Sequence, residues 1–286
     1  MNQVHRARPL LGTIVQISVA SPLPPARLHA AVDAAFAQIS LVHRLMSWHD
    51  PGSDLSRLNR QAATSRQSLH AHTRAVLAAA LHFARLSEGA FDPCIAGTLT
   101  RRGLLPYPVD APPLPECPDR AASWRDIELC GQGIRFHRPL WVDLGGIAKG
   151  YAVDLALEHL VGLNIPDVVV NAGGDLRVSG PQAHSVAIRH PRSAHAVAHE
   201  LSIHCGALAT SSAFGSQRRS TAGPENALLD PRTGESYAAA DSVSVLASSC
   251  MTADALTKIA LFAAPGVART AFEACEARCI RLAPIH

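Results

Sequence analysis

Small-residue turns in this sequence carry isolated charged side chains that could face a ligand. The segment "DLGGIAKGY" places Asp143 and Lys149 on either side of a Gly-Gly step, where a helix is expected to begin. Backbone N–H groups at a helix start attract anions, as an ammonium group does, so phosphate is the expected ligand there. In "NAGGDLRVSG", Gly173 and Gly174 precede Asp175, and they let the backbone approach a ligand without obstruction by side chains.

Two Asp-Pro turns extend this pattern. Asp92 follows a helix stop in "EGAFDP", and Asp230 begins the block "DPRTGE". Ordinary turn chemistry explains each of these turns when it is considered alone, because Asp, Gly and Pro all favour turns. Their combination with the two glycine turns indicates a ligand site.

The segment "SSCMTADALTKIALF", residues 248–262, reads as a helix with one acid among small and apolar residues. At 3.6 residues per turn, Lys258 lies about 40° around this helix from Asp254, and Thr257 lies about 60° the other way. Three interpretations are open. Asp254 and Lys258 form an ordinary ion pair on the helix face, Thr257 joins Asp254 in a metal site, or the lysine ammonium replaces the charge of a metal.

Several common catalytic motifs are absent from the sequence. "GGIAKGY" has Tyr151 where a phosphate-binding P-loop requires Lys followed by Ser or Thr. "HELSIH" differs by one residue from a zinc-binding helix motif, and its apolar pattern is that of a strand. The nucleophile elbow, the kinase catalytic loop and the dinucleotide fingerprint are missing as well.

Composition favours a small-molecule ligand over nucleic acid or a membrane. The 286 residues are 48% hydrophobic, which is enough for one large domain over residues 1–286 or two intimately packed subdomains. The net charge of +3 is spread along the chain without a run of like charges, and no apolar run approaches the ~18 residues of a membrane span. The seven cysteines include no C-x-x-C pair, which argues against a disulfide scaffold or a zinc ribbon.

The periodicity of the chain predicts an α+β fold. Val15, Ile17 and Val19 alternate with polar residues, which favours a strand over a signal peptide near the N-terminus. Helices are expected at 26–47, at 72–89, from Tyr151, and twice at the end of the chain, and a turn-rich surface segment is expected in "WHDPGSDLSRLNR". Residues 104–120 read as an irregular loop. Strands are expected in "WRDIELCGQGIRFHRPLWVDLGG", at the start of "DVVVNAGGDLRVSG", and in "SVAIRH", "HELSIHCGALATS" and "SVSVLAS".

Eight blocks in order resemble the signature blocks of the ApbE family, the FAD:protein FMN transferases. They are "GTIVQISV", "MSWHDPGSDLSRLN", "EGAFDP", "VDLGGIAKGYAVD", "VVVNAGGDLRVSG", "ALATSS", "LLDPRTGE" and "SCMTADAL", and they span about residues 10–262. The resemblance implies a T-fold-like α+β chain with a deep groove for FAD. It also implies cleavage of the FAD pyrophosphate with a divalent metal, usually Mg²⁺, and transfer of FMN to a Ser or Thr hydroxyl of an acceptor flavoprotein with release of AMP.

The resemblance also assigns expected roles to individual residues. Positions that match the family's FAD groove are Leu11, Ser47, Trp48, His49, Asp92, Lys149, Thr210 and Leu229. The glycine turn adds Gly173, Gly174 and Asp175 to the expected cofactor-binding set. Trp48 is equally well explained as a residue of the core.

Two departures from the family pattern concern the chemistry. Ala227 stands where members often have a histidine, and alanine cannot move a proton. Members hold the metal with a backbone carbonyl, here that of Gly146, with the acid corresponding to Asp254, and with a Thr at the position of Lys258. Thr257 or the Lys258 ammonium is the candidate replacement for that Thr. A homologue that binds FAD without transferring FMN is therefore the alternative function.

Most members of the family are exported or are lipoproteins, whereas no signal segment is evident here. A cytoplasmic location is expected if the sequence is full length, and an exported one if a signal has been removed.

Overall fold

The fold was examined in a computed structural model. It describes residues 1–108, 119–131, 133–191, 193, 196–213, 217–220 and 223–283. In chain order, the helices and strands are β1 Asn2–Leu10, β2 Thr13–Ser21, α1 Pro25–Met46, α2 Asp54–Gln61, β3 Gln67–Ser68, α3 Ala71–Leu86, α4 Ala96–Arg101, β4 Ile127–Cys130, β5 Gly133–Phe136, α5 Ala148–Gly162, β6 Asp167–Ala172, β7 Asp175–Ser179, β8 His184–Arg189, β9 Val197–Ile203, β10 Gly206–Ser212, β11 Gln217–Ser220, β12 Gly223–Asn226, β13 Ser242–Ala247, α6 Cys250–Phe262, α7 Pro265–Ala274 and β14 Arg278–Leu282.

A seven-stranded sheet in the order β1-β2-β6-β7-β10-β13-β14 forms the centre of the molecule, and every neighbouring pair is antiparallel. The predicted alternation in β2 is confirmed, since Val15, Ile17 and Val19 are buried. Antiparallel sheets can differ between their two faces, and here both faces are covered, by different kinds of structure.

Helices α1, α5 and α6 cover one face of this sheet. Helix α5 lies between the other two, packing on α1 and on α6, and it also contacts β6 and β7. Buried Phe36 of α1, Leu157 of α5 and Leu256 of α6 belong to the same apolar core as the inward side chains of the strands. Alanine and leucine at helical spacing supply this core, as the sequence predicts.

The hairpin of β8 and β9 forms a separate apolar cluster with β7 and β10. Val186 and Ile188 of the hairpin pack with Leu176, Val178 and Leu208. The central sheet is therefore packed on both faces, by helices on one face and by this hairpin on the other.

Several elements differ from the sequence-based expectations, and the short helix α4 is one that was not predicted. The segment expected to be turn-rich surface contains the helix α2, which begins where the Ser53 hydroxyl accepts a hydrogen bond from the Ser56 amide and which buries Leu55 and Leu58. The prediction missed it because eight residues give only two helical turns of pattern. The edge strands β1 and β14 were also missed, since most of their residues are exposed or half-buried and leave little apolar signal.

The predicted α+β class is confirmed. Sheet and helices combine in the α+β arrangement, with helices at both predicted early positions and two near the end of the chain. Of the expected loop 104–120, residues 109–118 lie outside the described residues, and its described ends contain neither helix nor strand. None of the helices that the structure describes is long and apolar enough to cross a membrane.

Candidate active site

A cleft of about 1110 Å³ opens beside the central sheet, and turns at the ends of several strands and helices line it. The eleven residues predicted to bind a cofactor all lie on its wall. Gly146 and Lys258 lie there as well, whereas Asp254 and Thr257 are buried and do not line the cleft. The structure thus places the predicted set together, while the role of each residue stays a prediction.

The turn between β6 and β7 needs glycine for a reason that does not involve a ligand. Gly173 and Gly174 have φ angles of +66° and +105°. A Cβ on Gly173 would lie 2.4 Å from the Thr13 hydroxyl oxygen, so the turn packs directly on the start of β2. The Asn171 side chain fixes the turn by accepting a hydrogen bond of 2.9 Å from the Gly174 amide.

Leu11 adopts a left-handed conformation at the wall of the cleft. It forms a two-residue hairpin loop with Gly12 between β1 and β2, and the two φ angles are +56° and +71°. Two positive φ angles suit the twist of a tight hairpin, but a non-glycine residue there costs about 1–2 kcal/mol. The fold holds Leu11 in this strained position beside the ligand space.

One part of the cleft lining is apolar and aromatic. The Trp48 indole N–H donates to the Pro106 carbonyl at 3.1 Å, and its ring meets buried Trp141 edge-on at 6.2 Å. Trp141 belongs to a small apolar cluster with Leu229 and Leu105, and Trp48 packs against that cluster. Trp48 thus packs on an apolar cluster and also lines the cleft, and its contact with the flavin nucleotide stays a prediction.

Another part of the cleft lining is charged. Lys149, in the first turn of α5, forms an ion pair with Asp175 at the start of β7. The lysine side chain is 32% exposed and the Asp175 side chain only 3%, so the ammonium faces the cleft while the acid lies behind it. The second carboxylate oxygen of Asp175 accepts a long hydrogen bond of 3.4 Å from the Thr210 amide.

A second ion pair joins Lys258 and Asp254 within α6. The Lys258 ammonium also donates to the Asp254 backbone carbonyl at 3.0 Å, and the other carboxylate oxygen accepts from the Gly150 amide at 3.3 Å. Burial alone raises the pKa of Asp254, but the nearby ammonium groups of Lys258 and Lys149 outweigh it and hold that pKa below its usual value. The carboxylate is therefore charged at neutral pH, and Lys258 is its closest partner.

The two lysines of these ion pairs have a further property in common. Only two of the 26 lysines and arginines in the chain are lysines, and both line this cleft beside a buried aspartate. Arginine offers a rigid fork of donors, whereas lysine offers a compact point charge with three donors. The cleft thus concentrates compact positive charge where the sequence predicts a phosphate.

Gly150 and Asp154 hold α5 against α6, and sequence reasoning assigned neither of them a role. A Cβ on Gly150 would lie 2.4 Å from the Cys250 carbonyl oxygen, so the helices meet there backbone to backbone. The Asp154 carboxylate accepts hydrogen bonds of 2.8 Å from the Cys250 and Met251 amides and thereby caps the start of α6. An acid within the apolar run "YAVDLAL" was the available signal for Asp154.

Both carboxylate oxygens of Asp92 have protein donors. They accept hydrogen bonds from the Cys94 amide at 2.8 Å and from the Trp124 amide at 3.2 Å. Burial raises the pKa of Asp92, and these two hydrogen bonds oppose the rise without cancelling it. Asp92 lines the cleft, and the hydrogen bonds that the structure shows for it stabilise the turn that begins at Pro93.

The oxygens around Asp254 do not fit a divalent metal ion. Lys258 holds one carboxylate oxygen, and the Gly150 amide holds the other. Thr257 is buried and does not line the cleft, and its hydroxyl donates to the Asp254 carbonyl at 2.7 Å and pairs with the Ser211 hydroxyl at 2.8 Å. Within the described ranges, no group of three or more His, Cys, Asp or Glu residues is arranged to hold a metal.

Comparison with known proteins defines the class to which this fold and cleft belong. The structure superposes on the flavin transferase ApbE from Vibrio cholerae with a TM-score of 0.80, at 25% identity, over 99% of this chain and 94% of that one. The proteins named FAD:protein FMN transferase from Treponema pallidum and Vibrio cholerae are 27% and 29% identical to it. The alignments cover 90% and 89% of this chain, and 77% and 79% of those two relatives.

The model of the ApbE family matches residues 11–279. The chain belongs to the ApbE family, as its sequence blocks predict.

Proposed function

We propose that this protein is an FAD:protein FMN transferase. It cleaves the pyrophosphate of FAD, attaches FMN through a phosphoester bond to a Ser or Thr hydroxyl of an acceptor flavoprotein, and releases AMP. The observation that carries the proposal is the cleft of an ApbE family member, whose lining combines two lysines with the Trp48 cluster. FAD offers a charged pyrophosphate and aromatic rings, and this lining supplies both positive and aromatic side chains for them.

The two lysines neutralise the pyrophosphate. Phosphoryl transfer depends mainly on positioning and on stabilising charge, with little covalent chemistry for the protein to perform. Lys149 and Lys258 supply positive charge, and the buried acids behind them hold the ammonium groups in place. The donor set at Asp254 does not fit the Mg²⁺ that the family resemblance implies, so the charge at the pyrophosphate is assigned to these lysines.

The acceptor hydroxyl receives no base from position 227. Ala227 lines the cleft and has no group that could take a proton. Orientation of the acceptor and neutralisation of the phosphate charge therefore carry a larger share of the rate than in members with a histidine there.

The decisive experiment measures transfer directly. The protein is incubated with FAD and a candidate acceptor flavoprotein, and mass spectrometry follows an FMN-sized increase on the acceptor while chromatography follows AMP. The matched control is the same acceptor with its Ser or Thr changed to Ala, which should stay unmodified. Absence of both products with every acceptor tried, in the presence and absence of Mg²⁺, would contradict the proposal.

Ala227 and Lys258 also support a second candidate function, an FAD-binding homologue that stores or delivers the flavin or slowly hydrolyses FAD to FMN and AMP. An ammonium offers one charge and no inner-sphere coordination, so it binds a pyrophosphate more readily than it helps to cleave it. The same assay separates the two functions. Tight FAD binding with AMP release that is slow and independent of the acceptor indicates the second function.

A further inference from the structure

Lys258 reaches across the cleft wall toward the glycine step of "LGG". An ideal Cβ on Gly146 would lie 3.5 Å from the Lys258 Cε atom. The ammonium beyond that carbon contacts the Asp254 carboxylate and the Asp254 backbone carbonyl. A single positive charge thus lies between a buried acid and the turn that faces the ligand space.

The oxygen atoms around Asp254 are poorly placed to coordinate a second cation. Mg²⁺ requires nearly octahedral coordination by oxygen at about 2.0–2.1 Å. The Asp254 oxygens already accept from Lys258 and Gly150, and the Thr257 hydroxyl is committed within the helix and to Ser211. A divalent ion beside Asp254 would also lie next to a like charge in a poorly solvated place, because the Lys258 side chain is only 18% exposed.

We propose that the Lys258 ammonium is the resident cation of this site, so that the protein binds FAD without a divalent metal at Asp254. The inference rests on the proposed function in one respect, namely that the FAD pyrophosphate faces this part of the cleft. Asp254 then acts as a positioning residue that holds the ammonium in place. Lys258 is the group that meets the phosphate, through the third N–H donor of its ammonium, which its two contacts with Asp254 do not use.

The first test uses the native protein, with Asp254→Asn as its control. FAD affinity is measured by flavin fluorescence in EDTA and again in excess Mg²⁺, and the two dissociation constants are expected to be equal. Mn²⁺ alone, without FAD, is titrated by electron paramagnetic resonance, and no Asp254-dependent binding is expected. Tight Mn²⁺ binding that Asp254→Asn abolishes, or FAD binding that requires Mg²⁺, would overturn the proposal.

The second test asks whether changes at Lys258 convert its surroundings into a metal-binding site. Lys258→Thr removes the charge and supplies an oxygen beside Asp254, and Lys258→Met removes the charge without supplying an oxygen. We expect Mn²⁺ affinity to rise at least about tenfold in Lys258→Thr, to rise less in Lys258→Met, and to fall back in Lys258→Thr/Asp254→Asn. A Mn²⁺-dependent rise in melting temperature of Lys258→Thr, which the native protein lacks, provides a readout independent of activity. If Lys258→Thr folds and its Mn²⁺ affinity does not rise, the assignment of Lys258 to a metal position is wrong.

The two proposals fail in different ways. Failure of FAD to bind under any condition would remove the proposed transferase function, whereas the Mn²⁺ titrations would still report on Lys258 and Asp254. Confirmed FMN transfer combined with a strict Mg²⁺ requirement for FAD binding would keep the transferase and reject the resident ammonium.

Discussion

The two lysine–aspartate pairs of the cleft use the same residue types in different ways. Lys258 and Asp254 lie one helical turn apart in α6, and their side chains are 18% and 1% exposed. Lys149 and Asp175 come from different elements, 26 residues apart, and the Lys149 side chain is 32% exposed. The first pair is enclosed and local in sequence, and the second is open and formed by tertiary packing.

This difference divides the expected roles of the two lysines. Removing the Lys258 charge from the enclosed pair leaves the buried Asp254 carboxylate uncompensated, so a large loss of stability is expected in addition to any loss of FAD affinity. The ammonium of the more open pair can turn toward a phosphate at little cost, so its loss is expected mainly as lost ligand affinity. The following predictions test that division, and their expected effects run from the largest to the smallest.

Lys258→Met should reduce the free energy of unfolding by about 3–5 kcal/mol at neutral pH, because Asp254 would stay buried without its closest partner. The native pKa of Asp254 is lowered, so the pair stabilises the fold above the unfolded-state pKa of about 3.9, and this stability is lost as the pH falls through the folded-state pKa. Burial would raise the pKa of Asp254 in the variant. The stability gap should therefore shrink on acidification, as measured by urea unfolding across pH.

The control for this prediction is Lys258→Met combined with Asp254→Asn, which removes both charges and should recover much of the lost stability. A Lys258→Met protein as stable as the native one at neutral pH would show that the pair is not enclosed in solution.

Lys149→Met should weaken FAD binding about tenfold to a hundredfold, since a charge-assisted hydrogen bond to a phosphate is worth roughly 1.5–3 kcal/mol. Its effect on stability should be smaller than that of Lys258→Met, because the Lys149 side chain is 32% exposed against 18% for Lys258 and water screens the more exposed pair better. Calorimetric titration with FAD and urea unfolding measure the two effects. If Lys149→Met lost more stability than Lys258→Met while keeping its FAD affinity, the division of roles would be reversed.

Gly150→Ala should cost about 1–3 kcal/mol of stability, because the new methyl group would meet the Cys250 backbone and force α5 and α6 apart. The Gly150 amide donates to Asp254, and Lys149 precedes it, so the shift should disturb both ion pairs at once. We expect a lower melting temperature together with weaker FAD binding. Gly162→Ala in the last turn of the same helix, where a Cβ would meet nothing within 4 Å, is the matched control.

Asp92→Ala should cost about 1 kcal/mol of stability through loss of the hydrogen bonds to the Cys94 and Trp124 amides. Both ion pairs should be unaffected. A loss of FAD affinity well beyond this cost, measured by calorimetry on the folded variant, would show that Asp92 also contacts the cofactor, as the family resemblance implies. An unchanged dissociation constant would leave Asp92 with its structural role alone.

Much of the fold followed from local patterns, and the exceptions share a cause. Helix α1 and strand β2 have long, regular periodicity, and the structure contains both of them close to the predicted bounds. Helix α2 was missed because eight residues give too little helical pattern, and strands β1 and β14 were missed because most of their residues are exposed or half-buried. Apolar wall residues such as Phe91 and Leu105 gave no signal either, because an apolar residue in a cleft and one in the core have the same sequence character.

The sequence by itself determined the relationship of Asp254 to Lys258, since the pitch of a helix fixes neighbours four residues apart wherever the helix lies. It also determined that the glycine turns and the isolated charged residues lie in blocks that resemble the signature blocks of the ApbE family. Only the tertiary structure decided that Lys149 meets Asp175, that Asp154 caps a helix 96 residues away, and that Thr257 turns inward. These contacts depend on how strands and helices pack over long separations, and no local spacing encodes that packing.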